Sequence, residues 1–226
     1  MMKRDKKSWE KESATEKIAR ADVIARRLKK AYPRAKIALK FGNDMQMLVA
    51  VILSAQCTDK KVNEVTIPLF KKYKSAKDFA GVDLKTFEKA IRQTGFYHAK
   101  TKNIIASAKI ISRQFGGKLP KTMEEMLTLA GVARKTANIA LYQAHGVISG
   151  IAVDTHVKRV SHRLSLTKNI DPNKIEKDLM ALLSRREWGD FNLRMVDHGR
   201  AICSAKKPLC AQCVLNDICP SAFTFE

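Results

Sequence analysis

Apolar residues recur along this chain at helical spacing, and nowhere do they alternate with polar residues for long enough to predict a β-strand. The first predicted helix begins at the capping box Ser13-x-x-Glu16 and ends before Pro33. Further helices are predicted over residues 45–56, 62–70, 86–93, 101–115, 123–129, 134–144, 156–166, 172–183 and 192–201. The expected fold class is therefore all-α.

The balance of charged residues indicates which kind of partner the protein binds. Of 226 residues, 43 are Lys or Arg and 22 are Asp or Glu, which gives a formal net charge of +21. Such an excess repels itself unless a polyanion compensates for it, so nucleic acid is the expected partner, although an evenly basic surface stays possible. Residues 1–12 are predicted to form a disordered basic arm that follows phosphates.

No segment of the sequence predicts a membrane partner or export. No apolar run approaches the ~20 residues that span a bilayer, and the N-terminus lacks the apolar stretch of a signal peptide. We therefore expect a reducing, cytoplasmic compartment, with association to the nucleoid if the source is prokaryotic. We also expect a monomer.

Four of the five cysteines lie close together near the C-terminus, spaced C-x6-C-x2-C-x5-C: Cys203, Cys210, Cys213 and Cys219. In a reducing compartment this cluster predicts a metal centre and not disulfides. A zinc ion favours two short C-x2–4-C pairs, and only Cys210 and Cys213 form one. The longer intervals favour a larger iron–sulfur cluster, while a structural zinc site stays open on spacing alone.

The segment LAGVARKTAN (129–138) joins two predicted helices. Gly131 permits a sharp turn, after which the backbone N–H groups of a new helix can bind a phosphate. Arg134 and Thr136 could add contacts to the same phosphate. Taken alone, such a segment is more often an ordinary turn between two helices.

Together with other segments, LAGVARKTAN resembles the helix–hairpin–helix motif of the endonuclease III family of DNA glycosylases. The resemblance includes the four-cysteine spacing and LSAQCTDKKVN (53–63), QTGFYHAKTKN (93–103) and AVDTHVKRV (152–160). It implies a 4Fe–4S cluster on the four cysteines and two helical domains flanking a DNA-binding cleft. A six-helix barrel with the hairpin would span residues 37–148, and a discontinuous cluster domain would combine residues 13–36 with 149–226.

The resemblance also implies an activity, the excision of oxidised pyrimidines followed by strand cleavage at the abasic site. Lys135 matches the family's nucleophilic lysine, whose imine with the sugar permits β-elimination. The amine must be neutral to attack; the helix N-terminus, Arg134 and partial desolvation are each expected to favour that form. Asp154 matches the catalytic carboxylate, although its local sequence also predicts the N-cap of the next helix.

Two further matches concern the extruded nucleotide. Gln56 matches the glutamine that fills the vacated space, and Phe96 occupies the position of a wedge that is usually leucine. Without the resemblance, Gln56 would be a polar residue at a helix end and Phe96 a loop aromatic covering the core. Contacts with DNA are also expected from the hairpin residues Gly131, Ala133, Arg134 and Thr136. Supporting roles are expected for Ser54, Asp59 and His156.

The hairpin departs from the family's usual L-P-G-V-G at Ala130 and Ala133. An alanine where positive φ or close phosphate approach is needed would cost ~1–2 kcal/mol, so either the hairpin is remodelled or DNA is held more weakly. Three functions stay open: a bifunctional glycosylase and lyase acting on double-stranded DNA with a damaged base or abasic site, a monofunctional mismatch or adenine glycosylase, and a non-catalytic, metal-stabilised DNA-binding protein. Lys135 favours the first.

Overall fold

The computed structural model describes residues 11–225, which form α-helices and short 3-10 turns with no β-strand among them. The predicted all-α fold class is confirmed. The helices are α1 (Ala14–Ala31), α2 (Asp44–Leu53), α3 (Asp59–Lys72), α4 (Ala76–Ala80), α5 (Leu84–Ile91), α6 (Tyr97–Gln114), α7 (Met123–Leu127), α8 (Arg134–His145), α9 (Thr155–Arg163), α10 (Pro172–Leu182) and α11 (Trp188–Ala201). The 3-10 turns are Arg92–Thr94, Arg185–Glu187, Cys210–Gln212 and Asn216–Ile218. Within residues 11–225, every helix is too short or too polar to cross a lipid bilayer.

Side-chain caps fix where most helices begin. Ser13 and Thr122 form capping boxes at the starts of α1 and α7, and Thr58 accepts a hydrogen bond from the Lys61 amide at the start of α3. Side-chain caps satisfy backbone N–H groups that otherwise lack partners. No side-chain cap closes the starts of α6, α8 and α11. The starts of α6 and α8 belong to segments that the sequence predicts to contact DNA.

The described residues form two compact units. Ala38–Ser149 make one unit, built around α2, in which every residue from Met45 to Leu53 is buried. A helix that is apolar on nearly all sides belongs at the centre of a helical domain. It packs against α3, α6 and α8, which carry or adjoin the candidate DNA-contacting segments.

The other unit joins the described residues up to Ile37 with those from Gly150 onward. Helix α1 packs against α10 and α11, and α9 packs against α11. Three cysteines of the C-terminal cluster, Cys203, Cys213 and Cys219, pack against the apolar core of this unit. The predicted metal-binding loop thus packs on the core of this unit.

Residues 1–10 of the predicted basic arm lie outside the described residues. Glu12, at the end of that arm, accepts two hydrogen bonds of 2.7 Å from Arg20, and both side chains are almost fully buried. Arg20 also donates to the carbonyl of Leu164 at 2.6 Å. A buried ion pair with α1 therefore holds Glu12, while the predicted disorder of the arm stays a prediction.

Candidate active site and metal centre

The predicted hairpin is present between α7 and α8, and its turn is held from α6. Gly131 has φ of +74°, and a Cβ atom there would lie 2.7–2.9 Å from atoms of the Asn103 side chain. Next to it, Ser107 Oγ donates to the carbonyl of Ala130 at 2.8 Å. The turn therefore needs a residue with no side chain, both for its backbone angle and for its close packing on α6.

Ala133 is the N-cap residue of α8, with φ of −95° and ψ of 173°. This is an ordinary extended conformation, so the predicted cost of placing alanine at positive φ does not arise. Ala133 has no side chain able to cap the helix, and no side chain caps the first turn of α8. This arrangement is chemically suited to bind a phosphate.

Lys135 lies in the first turn of α8 and its side chain is exposed. The half-buried residues Arg134 and Thr136 flank it. Desolvation of the Lys135 amine was expected from the sequence, but the free protein does not provide it. A bound molecule that covers this surface would have to exclude the water.

Asp154 is the N-cap of α9, as its local sequence predicts. Its Oδ1 accepts a 2.8 Å hydrogen bond from the amide of Val157, and the side chain is half-buried. The carboxylate is thereby held in one orientation at the positive end of a helix.

His156, to which the sequence assigns a supporting role, is the second residue of α9. The Nδ1 atom of His156 lies 3.1 Å from Arg159 Nη2. The ring also packs closely on Gly199 of α11, where an added Cβ would lie 2.9 Å from Nδ1. Burial lowers the pKa of His156, and Arg159 and Arg200 act in the same direction while Asp154 opposes them. Packing on α11 therefore holds the His156 ring, and its neutral form is favoured.

Gln56 and Phe96, the two residues predicted to enter DNA, both have left-handed backbone conformations. Their φ angles are 52° and 49°, and both side chains are exposed. Phe96 is 66% exposed, so the alternative that it covers the core is excluded. Such conformations cost ~1–3 kcal/mol each and persist only where surrounding structure enforces them.

Ser54 and Asp59 lie on either side of Gln56. The helix predicted over residues 45–56 ends at Leu53, and Ser54 Oγ donates to the carbonyl of Val51 at 2.8 Å. Asp59 is the first residue of α3. Gln56 therefore lies in a short loop between two fixed helix ends.

The four clustered cysteines line one pocket, together with Arg163 and His198. Among residues 11–225, no three Cys, His, Asp or Glu side chains gather closely enough for a single metal ion. Burial raises the pKa of Cys213 and raises that of Cys219 to about 12, and the neighbouring cysteines raise both further. A positively charged group in this pocket would lower these pKa values and keep the sulfurs as thiolates, as the iron of an iron–sulfur cluster does.

The surroundings of these sulfurs also fit anionic ligands. Arg163 Nη1 lies 3.2 Å from Cys203 Sγ, and the amide of Leu215 lies 3.4 Å from Cys213 Sγ. Burial lowers the pKa of His198 to about 4, so its ring is neutral. Its Nε2 lies 3.7 Å from Cys213 Sγ and its Nδ1 lies 3.1 Å from the Tyr32 hydroxyl. Sequence patterns alone had not indicated Arg163, His198 or Tyr32 as parts of this site.

Comparison with known proteins connects these features to one class. Residues 49–185 match the model of the HhH-GPD superfamily base excision DNA repair proteins, and residues 203–219 match the iron–sulfur binding domain of endonuclease III. Endonuclease III of Synechocystis sp. is 50% identical over 206 residues, covering 91% of this chain and 94% of the relative. Endonuclease III of Bacillus subtilis is 42% identical over 189 residues, covering 83% and 86%.

Solved structures agree with this assignment. A non-covalent endonuclease III–DNA complex matches with a TM-score of 0.86 at 36% identity, covering 92% of this chain and 97% of the solved one. A thermostable thymine-DNA glycosylase shares the fold, with a TM-score of 0.82 at 22% identity over 94% of this chain and all of the other.

The fold and the hairpin thus define a base excision DNA repair protein of the HhH-GPD superfamily. Within that superfamily the chain belongs to the endonuclease III family, and it binds DNA. The predicted cofactor, a 4Fe–4S cluster, is confirmed by the match of the cysteine loop to the family's iron–sulfur domain.

Proposed function

We propose that this chain is a bifunctional DNA N-glycosylase and abasic-site lyase that removes oxidised pyrimidines from double-stranded DNA, acting as a monomer. The observation that carries the proposal is an exposed lysine, Lys135, in the uncapped first turn of the hairpin helix. Support comes from a solved structure of similar fold, in which endonuclease III is trapped as a covalent intermediate with DNA. A cytoplasmic location, associated with the nucleoid if the source is prokaryotic, stays a prediction.

The amine of Lys135 is the proposed nucleophile. It attacks the anomeric carbon of the extruded nucleotide, and the bond to the base breaks with its electron pair leaving on the base. After the amine loses a proton and the sugar ring opens, an imine remains. The imine acidifies the neighbouring carbon, whose proton is lost as the 3′ phosphate leaves, and water finally releases the lysine. DNA lying over the exposed side chain would exclude water and favour the neutral amine.

Asp154 is the proposed carboxylate that assists these steps. Its hydrogen bond from the amide of Val157 fixes its orientation, so it needs no rearrangement when positive charge develops on the sugar. It would also accept the proton that the attacking amine loses. The cap and the catalytic role are compatible, because the cap holds the carboxylate rigid.

The remaining assigned residues would hold and distort the DNA. The first-turn N–H groups of α8, Arg134 and Thr136 would bind a backbone phosphate next to Gly131, where the turn has no side chain to obstruct approach. Gln56 and Phe96 would fill the space left by the extruded nucleotide. We further propose that Ala38–Ser149 form the barrel domain and that the unit containing the four cysteines forms the cluster domain.

The proposal is tested with a 5′-labelled duplex that contains one thymine glycol, compared with an undamaged duplex. Without alkali, the damaged strand alone should be cut to a product ending in the unsaturated aldehyde of β-elimination. A strand that breaks only after hot alkali would contradict the lyase assignment and indicate a monofunctional glycosylase. If the protein releases no base from any damaged duplex, the glycosylase assignment is rejected and only DNA binding is left as its function.

A further inference from the structure

Lys100, a residue of α6, is a lysine buried inside the unit formed by Ala38–Ser149. Only 5% of its surface is exposed. Its Nζ donates to the carbonyl of Leu53 at 2.8 Å and to the carbonyl of Thr94 at 2.7 Å. Burial lowers the pKa of Lys100, with Cys57 opposing. Removing an ammonium group from water is costly, and the hydrogen bonds to the two carbonyls offset part of that cost.

Both acceptors lie at the ends of helical segments. Leu53 is the last residue of α2, and Thr94 is the last residue of the 3-10 turn Arg92–Thr94. Carbonyls at such ends lack intrahelical partners and carry partial negative charge, which an ammonium group neutralises well. Lys100 therefore connects the ends of two helical segments that are distant from each other in sequence.

The segments that follow these carbonyls are the two proposed to enter DNA. Gln56 is three residues beyond Leu53, and Phe96 is two residues beyond Thr94. The backbone amide of Lys100 also donates to the carbonyl of Phe96 at 3.0 Å. A single residue thus contacts the base of the Gln56 loop, the base of the Phe96 loop, and Phe96 itself.

We propose that Lys100 is a positioning residue that fixes the Gln56 and Phe96 loops relative to each other, so that both side chains enter DNA together. This inference rests on the proposed function of Gln56 and Phe96. The left-handed backbone of each residue requires an external constraint, and the Lys100 ammonium supplies one to both loops. Pre-ordering the loops removes the entropy cost of arranging them when DNA binds, which would raise affinity for DNA with a vacated position.

The test uses Lys100→Met, which keeps the length of the side chain but removes all its donors. The duplex carries a tetrahydrofuran abasic-site analogue opposite 2-aminopurine, whose emission reports whether the orphaned base is unstacked. With wild-type protein at saturation the emission should change. With Lys100→Met it should stay at the free-duplex value, and the preference for abasic-site over undamaged DNA should fall at least about tenfold.

Lys102→Met, at an exposed lysine of the same helix, is the matched control. It should shift both affinities equally and keep the emission change. If Lys100→Met fails to fold, as judged by thermal unfolding and iron content, Lys100→Gln replaces it and should give an intermediate emission change. In a Gln56→Ala, Phe96→Ala background, replacing Lys100 should no longer affect the preference.

Failure of this inference is distinct from failure of the proposed function. Borohydride trapping through Lys135 at saturating protein should be retained in Lys100→Met, because the nucleophile is untouched. A Lys100 variant with the wild-type emission change and preference would overturn the positioning role. An undiminished effect of replacing Lys100 in the Gln56→Ala, Phe96→Ala background would overturn it as well. Absence of trapping by the wild-type protein would instead reject the proposed function.

Discussion

Asp154 combines a structural and a proposed catalytic role, and two substitutions separate them. Asn caps helices as well as Asp does, so Asp154→Asn should change the free energy of unfolding by less than about 0.5 kcal/mol. The charge is lost, however, and single-turnover strand cleavage should fall by ~10²–10⁴-fold. Asp154→Ala loses the cap as well and should cost ~1 kcal/mol of stability. Urea unfolding and single-turnover kinetics measure the two effects.

A full cleavage rate in Asp154→Asn would reject the catalytic role and leave Asp154 as a helix cap. A loss of stability equal to that of Asp154→Ala would show that the cap, and not the charge, explains any loss of rate.

At the scale of single residues, the sequence predicted the chemical role of a side chain better than its exposure to solvent. The position of Lys135 in the first turn of a helix followed from Gly131 and the residues around it, but its exposure did not. Lys100 was one lysine among many, because its burial depends on the carbonyl of Leu53, 47 residues away. No local pattern reports a contact over that separation.

Among the elements of the fold, the hairpin turn has the strictest requirement for one residue type, the glycine at position 131. Gly131 and Gly146 both have positive φ, at +74° and +65°, yet a Cβ at Gly146 would meet nothing within 4 Å. Gly146→Ala should therefore cost only the backbone strain, ~1–2 kcal/mol. Gly131→Ala should cost ~1–3 kcal/mol more, because its Cβ collides with Asn103.

Equilibrium urea unfolding of the two variants measures the difference directly. Equal losses would mean that Asn103 moves aside freely, and α6 would then not fix the turn. A greater loss in Gly146→Ala would contradict the packing of the hairpin altogether.

Helix existence was predictable from apolar spacing, whereas helix ends depended on caps and strain. Helix α4 (Ala76–Ala80) was not predicted, because five residues are too few for a periodic stripe and only the capping box at Ser75 marks it. Helix α6 begins at Tyr97, four residues before the predicted start at residue 101. The left-handed Phe96 sets that start, and sequence periodicity does not indicate left-handed residues.

For the molecule as a whole, the composition of each unit could be predicted only through the resemblance to a family. Apolar spacing does not reveal that α1 packs with the C-terminal helices. The contact that illustrates this joins Arg27 Nη2 to Asp217 Oδ2 at 3.0 Å across 190 residues of sequence. The four cysteines, by contrast, are close enough in sequence for their shared role to be predicted.

Because three of the cysteines pack against the core of the discontinuous unit, losing the cluster should destabilise that unit selectively. Cys210→Ala removes a proposed ligand outside that packed set. Hydrogen exchange should show lost protection in α1 and α9–α11, while α2–α8 keep theirs. Cys57→Ala, outside the loop, should retain full iron content. Equal loss of protection in both units, or none in either, would contradict this selectivity.

Covalent chemistry at Lys135 is tested most directly by trapping the protein on an abasic-site duplex with sodium borohydride. The expected result is a one-to-one protein–DNA adduct whose modified peptide maps to Lys135. The adduct should be absent in Lys135→Gln and retained in Lys109→Gln, a control at an exposed lysine of α6. An adduct that persists in Lys135→Gln, or none with the wild-type protein, would contradict the assignment.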